Sequence, residues 1–210
     1  MNGVRLTVAL CMLFIALVVG AFVFSVTRDR TLSFEELQQQ GSVMLPRPRA
    51  LAGIEMQTTD GEDFNEASLE GGWTFAYFGF TNCPDICPTT MSVMGQAYNE
   101  LSAEERPSYR GLLVTVDPER DDAQTLASYA QAFSPSFQGV RGSIAQTAAF
   151  ATQVNVAFQK LPGVGDEPYQ MDHSGNLVII NPKGHYHGFI KLPHTRDKLV
   201  NTFRTLQASF

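Results

Sequence analysis

An uncharged apolar run near the amino terminus places the strongest constraint on how this chain folds. From Leu6 to Val26 there is no charged residue and no proline. With a rise of about 1.5 Å per residue, a helix of about 20 residues crosses a bilayer core of roughly 30 Å. The run therefore predicts a single transmembrane helix, and residues 1–27 are interpreted as an amino-terminal tail and membrane anchor.

Two kinds of processing compete with an uncleaved anchor. A signal peptide has an apolar region of only about 7 to 15 residues and a small-residue cleavage site, and neither feature is found here. Lipoprotein processing at Cys11 would require a small residue before it, where Leu10 stands. Arg5 lies on one side of the run and Arg28 and Arg30 on the other, so charge does not decide the orientation. The tail is short, which favours a cytoplasmic amino terminus and a soluble domain exported to the periplasm.

The charge distribution argues against binding to a polyanion. The formal net charge is −6, and the acidic residues are scattered along the chain. No cluster of Lys and Arg is interleaved with aromatic residues, as nucleic-acid interfaces require. We therefore expect no nucleic-acid partner.

The exported part divides into a connector and one domain. Residues 28–49, which contain glutamines and prolines, are predicted to link the membrane to the domain. The domain is expected to span residues 50–210. It opens with residues 51–64, where apolar and polar positions alternate around Asp60-Gly61, a dipeptide typical of hairpin turns.

Strands and helices then alternate in a pattern typical of α/β domains. The sequence predicts a buried strand at Trp73–Phe80, a helix at 88–101, a second strand at 111–117 and a helix at 123–133. Within 143–158 it predicts a third helix that leads into an extended piece, followed by a hairpin at 176–191 and a final helix at 194–207. A βαβ unit, a further helix, a hairpin and a closing helix together predict a thioredoxin-like fold with an added N-terminal β-hairpin.

Cys83 and Cys87 lie at the junction between the first predicted strand and the helix that follows. Reactive groups and ligands gather at the carboxyl ends of strands in open α/β sheets. If the whole segment were helical, Pro88 would clash with the carbonyl of Pro84, so the helix is expected to begin at Pro88. Both sulfur atoms then converge on the helix start, where they can form a disulfide or bind one metal ion together. A purely structural disulfide is the alternative interpretation.

His173 is the candidate for a third ligand. It is predicted to lie in a loop just before the last hairpin. Two thiolates and one imidazole suit Cu(I) and also Cu(II), whereas structural zinc normally takes a fourth protein ligand. Considered without the cysteines, His173 is instead interpreted as a capping or surface histidine.

The remaining histidines and two methionines receive simpler interpretations. His185 and His187 share one face of a predicted strand and are interpreted as solvated hairpin positions, with a second metal pair as the alternative. His194 is interpreted as structural. Met91 and Met94 have helical spacing and are assigned to core packing.

Three motifs together resemble those of the Sco/SenC copper chaperones. They are FGFTNCPDICPTTM, VTVDPERDD and YQMDHSGNLVIINPKG, and the resemblance covers roughly residues 48–208. It implies a thioredoxin fold that binds one copper ion through Cys83, Cys87 and His173 and helps to mature the dinuclear copper A centre of cytochrome c oxidase. It also implies that Asp117 lies near the site, although a turn or helix-cap residue would explain Asp117 equally well.

Three functions remain open on sequence alone. A metallochaperone would receive copper from an upstream donor and transfer it by ligand exchange to the copper-bearing subunit of apo cytochrome c oxidase. Alternatively, a thiol-disulfide reductase would keep the copper-ligating cysteines of the oxidase reduced, with Cys83 and Cys87 as its redox pair. A copper or redox sensor would bind the metal without delivering it. Enzyme activity is thus expected only under the second hypothesis.

Overall fold

The computed structural model describes residues 2–27, 31–163 and 169–210, in two compact units, Met1–Thr31 and Leu32–Phe210. The first unit contains helix α1, Asn2–Thr27. Its segment Gly3–Phe22 has a mean hydropathy of 2.4 and is long and apolar enough to cross a membrane. The predicted transmembrane segment is therefore helical, as expected from its uninterrupted apolar sequence.

The second unit combines helices with a mixed β-sheet. Its helices are α2 Phe34–Gln39, α3 Ile86–Glu100, α4 Ala123–Phe133, α5 Ile144–Gln153 and α6 Arg196–Ser209. Its strands are β1 Ser42–Ala50, β2 Met56–Thr58, β3 Asp63–Phe64, β4 Trp73–Gly79, β5 Tyr109–Thr115, β6 Gln138–Arg141, β7 Phe158–Leu161, β8 Gln170–His173, β9 Leu177–Ile180 and β10 His185–Ile190. Short 3-10 turns lie at Glu66–Leu69 and Arg106–Ser108.

Eight strands form one sheet in the order β1-β10-β9-β4-β5-β6-β2-β3. The pairs β4–β5 and β5–β6 are parallel, and the other neighbours in the sheet are antiparallel. Every residue of β4 is buried, which shows that this central strand is covered on both faces. Strands β7 and β8 pair separately as a two-stranded antiparallel sheet.

The strongest local signals in the sequence predicted their elements correctly. Strands β4 and β5 lie where continuous apolar runs placed them, and α4 has the predicted bounds. The hairpin β9–β10 turns at Gly184, whose φ of 72° favours glycine. Helix α6 buries Leu199, Phe203 and Leu206 along one face, as its spacing indicated.

The segment expected to be a connector differs most from the prediction. Residues 28–30 lie outside the described residues, but α2 and β1 belong to the second compact unit. Strand β1 pairs with β10, and Leu37 of α2 is fully buried. The prolines of β1 lie between Met44 and Arg49, where the pairing with β10 is interrupted, which agrees with the placement of proline at bulges and edge strands.

The predicted amino-terminal hairpin is present but shorter. Strands β2 and β3 pair across a turn that contains Gly61 with a φ of 84°. Residues 51–55 are not part of either strand. Strand β2 also pairs with β6. Strand β6 was not predicted, because its four residues show no clear alternation of apolar and polar side chains.

Near the cysteines and His173, two boundaries differ from the prediction and one agrees. Helix α3 begins at Ile86, so Pro88 is its third residue, a first-turn position whose N–H would have no helical partner. Helix α5 ends at Gln153, and the chain then leads into the extended strand β7 at Phe158, as predicted. His173 is the last residue of β8 and not a loop residue, because Phe158 of β7 pairs with it.

Candidate metal centre

The two cysteines occupy the turn that joins β4 to α3. Cys83 lies in the loop and is half-buried, and its amide donates to the carbonyl of Phe80 at 3.3 Å. Cys87 is buried in the first turn of α3, and its amide donates to Cys83 Sγ at 3.4 Å. Both are free thiols. The helix start thus already provides one hydrogen bond to the Cys83 sulfur atom.

Gly79 allows the close packing behind Cys87. A Cβ at this position would lie 2.9 Å from Cys87 Sγ and 3.0 Å from the ring of Tyr77. These separations are shorter than ordinary van der Waals contact. Glycine at the end of β4 is therefore required by space, since the sulfur atom lies directly against the strand.

His173 reaches the cysteines from β8. Its Nε2 lies 3.5 Å from Cys87 Sγ, and its Nδ1 lies 3.2 Å from the carbonyl oxygen of Ser174. A carbonyl only accepts hydrogen bonds, so Nδ1 carries the proton and the lone pair of Nε2 is free on the sulfur side. The rings of Tyr77 and Phe80 each stand edge-on to the imidazole at 5.8 Å and limit its rotation.

The three donor atoms form a compact set. Cys83 Sγ, Cys87 Sγ and one ring nitrogen of His173 all lie within 4.8 Å of one another. Among the His, Cys, Asp and Glu residues of segments 2–27, 31–163 and 169–210, no other group has this geometry. Two sulfur atoms and one imidazole match the ligand preferences of copper, and a fourth protein ligand of the kind that structural zinc takes is not in the group.

Burial tunes the protonation of two of these groups. Loss of solvent raises the pKa of the Cys87 thiol well above its ordinary value, although a hydrogen bond from the backbone at Phe80 opposes this. Burial also lowers the pKa of the His173 imidazole, against a smaller opposing effect of its bond to Ser174. Cys87 therefore stays protonated until a cation replaces its proton, whereas His173 is neutral and ready to donate its lone pair.

Asp117 is linked to the donor residue His173 indirectly, through Arg120 and Phe80. It is buried, it accepts a hydrogen bond from the Tyr169 hydroxyl at 2.7 Å, and it forms an ion pair with Arg120. The guanidinium of Arg120 in turn lies 5.7 Å from the centre of the Phe80 ring, which packs against His173. The helix-cap role considered for Asp117 belongs to Asp122, which accepts a hydrogen bond from Thr125 N at the start of α4.

Several residues that were not predicted from the sequence shape the site without contributing a donor atom. These are Tyr77 and Phe80 beside the imidazole, Asp121 below the cysteine loop, and Tyr169 and Arg120 around Asp117. Asp121, Arg120 and Tyr169 lie inside the quoted motifs, but sequence spacing does not reveal which segments they join.

The other histidines do not join the three donor atoms. His194 Nδ1 lies 3.1 Å from the Thr90 hydroxyl and its Nε2 lies 3.2 Å from the carbonyl of Ile190, so its role is structural. His187 is half-buried with its ring edge-on to Trp73 at 5.0 Å, which corrects its interpretation as a solvated position. His185 is also half-buried. Met91 and Met94 are fully buried in the core, as predicted.

Comparisons with known proteins match the chain to a family model and to several relatives. The SCO1/SenC family model matches residues 49–208. A putative copper-binding protein of Stutzerimonas stutzeri is 36% identical over 164 residues, which are 78% of this chain and 79% of that protein. The mitochondrial SCO2 homolog of Homo sapiens is 33% identical over 179 residues, 84% of this chain and 67% of that protein.

The solved structure of yeast Sco1 with copper bound superposes with a TM-score of 0.70. It is 28% identical, and the match covers 78% of this chain and 91% of the yeast chain. This likeness confirms the mixed α/β, thioredoxin-like fold that the order of strands and helices predicted.

Proposed function

We propose that this chain, which belongs to the SCO1/SenC family, is a copper metallochaperone that binds one copper ion through Cys83, Cys87 and His173. We further propose that it delivers the ion to the dinuclear copper A centre of cytochrome c oxidase. The observation that carries the copper site is the convergence of two sulfur atoms and one imidazole nitrogen within 4.8 Å. The recipient is assigned from the resemblance of the three motifs to the Sco/SenC copper chaperones.

The ligand set suits transfer as well as capture. Copper binds as cargo, and because the imidazole is neutral, the two thiolates neutralise Cu(II) and leave a net negative charge with Cu(I). Binding releases the protons of both thiols, and His173 presents an unprotonated Nε2. Three protein ligands leave a coordination position for an incoming cysteine or histidine of the recipient. The ion can therefore be transferred by stepwise ligand exchange.

The first unit supports an anchored arrangement. We propose that α1 spans the membrane with its amino terminus in the cytoplasm, and that the copper-binding unit lies on the periplasmic side. The supporting observation is the 20-residue apolar segment Gly3–Phe22. An anchor of this kind would hold the chaperone at the membrane in which its recipient is assembled.

Copper binding by the full chain in detergent micelles tests the site. Under reducing conditions we expect one Cu(I) per chain, and His173→Ala should weaken binding by about 100-fold or more because one of three ligands is lost. His185→Ala is the matched control, since His185 is half-buried but outside the donor group. Equal affinity in native protein and His173→Ala would contradict the three-ligand site.

Delivery is tested separately in cells that lack the native protein. Oxidase activity and its copper A absorption should be restored by the native chain and by His185→Ala, but not by His173→Ala. Full maturation of the oxidase by His173→Ala would exclude copper delivery through this site.

A thiol-disulfide reductase is the second candidate, favoured by the two free thiols at the start of α3. The half-buried Cys83 would attack a disulfide of the oxidase, Cys87 would resolve the mixed disulfide, and the chain would be left oxidised with the target dithiol reduced. A separate thiol reductant would have to recycle it. Rapid exchange with an oxidase disulfide that survives His173→Ala would favour this function over delivery.

A further inference from the structure

The loop between β5 and α4 contains two buried carboxylates that bind neither sulfur nor imidazole. Asp117 is 2% exposed and Asp121 is fully buried. They lie four residues apart, and the amide of Asp121 donates to the carbonyl of Asp117 at 2.9 Å. Burying a carboxylate is unfavourable unless hydrogen bonds compensate it, so the partners of each show what it holds in place.

Asp121 holds the segment that leads to the cysteines. Its carboxylate accepts hydrogen bonds from Thr81 N at 3.1 Å and from Thr81 Oγ1 at 2.5 Å. It also accepts from Thr115 Oγ1, at the end of β5, at 2.6 Å. Thr81 lies two residues before Cys83, so Asp121 ties the start of the cysteine loop to the neighbouring strand.

Asp117 holds the strand that carries His173. It accepts from the Tyr169 hydroxyl at 2.7 Å and pairs with Arg120, whose Nη1 donates to the carbonyl of Tyr169 at 3.2 Å. The guanidinium also lies 4.0 Å from the centre of the Tyr169 ring. Tyr169 immediately precedes β8, which ends at His173. The β7–β8 pair is not part of the main sheet, so these contacts tie its second strand to the rest of the unit.

We propose that Asp121 and Asp117 are positioning residues, each for one arm of the metal site: Asp121 for the cysteine loop and Asp117, through Tyr169 and Arg120, for the histidine strand. The inference rests on the proposed function, since it explains how ligands from two separate segments meet. The two arms share one base, the β5–α4 loop, but the side-chain hydrogen bonds of Asp121 and of Asp117 go to different segments. Loosening one arm should therefore leave the other in place.

The mildest test removes one hydroxyl from each arm. Thr81→Val removes the side-chain bond to Asp121, and Tyr169→Phe removes the bond to Asp117. Tyr129→Phe is the matched control, because the Tyr129 hydroxyl is buried without a hydrogen-bond partner among the described residues. Asp122→Asn is a second control, which weakens the cap of α4 without touching either arm. If Thr81→Val and Tyr169→Phe leave the remaining contacts of the two carboxylates strong enough to hold the arms, Asp121→Asn and Asp117→Asn are tested next.

The readout is made on the copper-free, reduced full chain in detergent. The alkylation rate of Cys83 and the acylation rate of His173 by diethyl pyrocarbonate are followed residue by residue by mass spectrometry. Thr81→Val should accelerate alkylation of Cys83 by about fivefold or more and leave His173 unchanged, because a hydrogen bond to a carboxylate is lost from that arm alone. Tyr169→Phe should accelerate acylation of His173 by a similar factor and leave alkylation of Cys83 unchanged.

Copper provides an independent signature. The Cu(II) complex of Tyr169→Phe should shift its absorption and electron paramagnetic resonance spectra toward those of His173→Ala, and Tyr129→Phe should keep the native spectra. The inference is overturned if Tyr169→Phe matches Tyr129→Phe in both readouts, or if Thr81→Val and Tyr169→Phe accelerate both arms alike. Because the modification rates need no copper, a native chain that fails to bind copper would refute the proposed function and leave this test intact.

Discussion

At the scale of single residues, the position of Cys87 Sγ depends on the absence of a side chain at Gly79. Gly79 has no Cβ, and Cys87 Sγ occupies the space that a Cβ would need. The sulfur position is thereby linked to the backbone of β4, which is buried at every residue. A ligand atom fixed in this way loses little entropy when it binds a metal.

Gly79→Ala should therefore weaken Cu(I) binding. The added methyl group would lie 2.9 Å from Cys87 Sγ, so the sulfur must move away from its position beside His173. We expect the affinity to fall by about tenfold or more, which corresponds to about 1.4 kcal/mol. Competition with a chromogenic Cu(I) chelator measures the change.

Gly142→Ala is the control for this prediction. Its new methyl group would meet the flexible side-chain ends of Gln146 and Met56 at 3.1 and 3.2 Å, away from the three donor atoms. The affinity of Gly142→Ala should equal that of the native chain. An unchanged affinity in Gly79→Ala would show that the sulfur does not need its contact with β4.

At the scale of elements, the edge strand β1 and helix α2 determine where the folded unit begins. Strand β1 covers β10, and the buried Ser42 hydroxyl lies 2.8 Å from that of Thr202 in α6. Without β1, strand β10 would present unpaired N–H and carbonyl groups at the sheet edge. These contacts make residues 32–49 structural parts of the copper-binding unit.

A fragment of residues 32–210 should accordingly be more stable than one of residues 50–210. The shorter fragment loses the burial of Leu37, worth about 1.5 to 3 kcal/mol, and the ladder with β10. We expect a loss of at least about 3 kcal/mol in unfolding free energy, together with a greater tendency to aggregate. Urea unfolding followed by circular dichroism measures the difference.

A point substitution checks that the loss comes from packing. In the 32–210 fragment, Leu37→Ala should lose about 2 to 4 kcal/mol, the usual result of truncating a buried leucine. Gln38→Ala, at the neighbouring exposed position, should change stability little. If the 50–210 fragment unfolds at the same urea concentration as the longer one, α2 and β1 do not contribute to the fold.

At the scale of the whole molecule, the two units have separate tasks under the proposed function. The unit Leu32–Phe210 contains all three donor residues, and α1 lies outside it. A chaperone whose binding site is complete in one unit needs the other only for location. Copper affinity and cellular location should therefore be separable by removing residues 1–31.

The full chain should remain in the membrane pellet after alkaline carbonate extraction, with the intact mass of 23.1 kDa. Residues 32–210, exported behind a cleavable signal peptide, should appear in the periplasmic fraction and bind Cu(I) with the affinity of the full chain. Fractionation and mass spectrometry measure both outcomes. Recovery of the full-length gene product as a shorter, soluble species would identify α1 as a cleaved signal sequence instead.

The sequence alone predicted the features that depend on local pattern. The apolar run of α1, the buried strand β4, the bounds of α4 and the β9–β10 turn follow from periodicity and turn chemistry within a few residues. The site candidates Cys83, Cys87 and His173 were likewise predicted from the sequence. Two cysteines and a histidine in one site suit few functions besides metal binding and thiol chemistry, and the three motifs resemble those of a known family.

Only the tertiary structure decided which distant segments meet. Strand β1 was not recognisable because Ser42 pairs with Ile190, far along the chain, and its own sequence lacks strand alternation. The roles of Asp121 and Asp117 depend in the same way on Thr81 and Tyr169, which approach them only after the sheet has formed. Such contacts are set by the free energy of packing the whole unit, and no local pattern of residues encodes them.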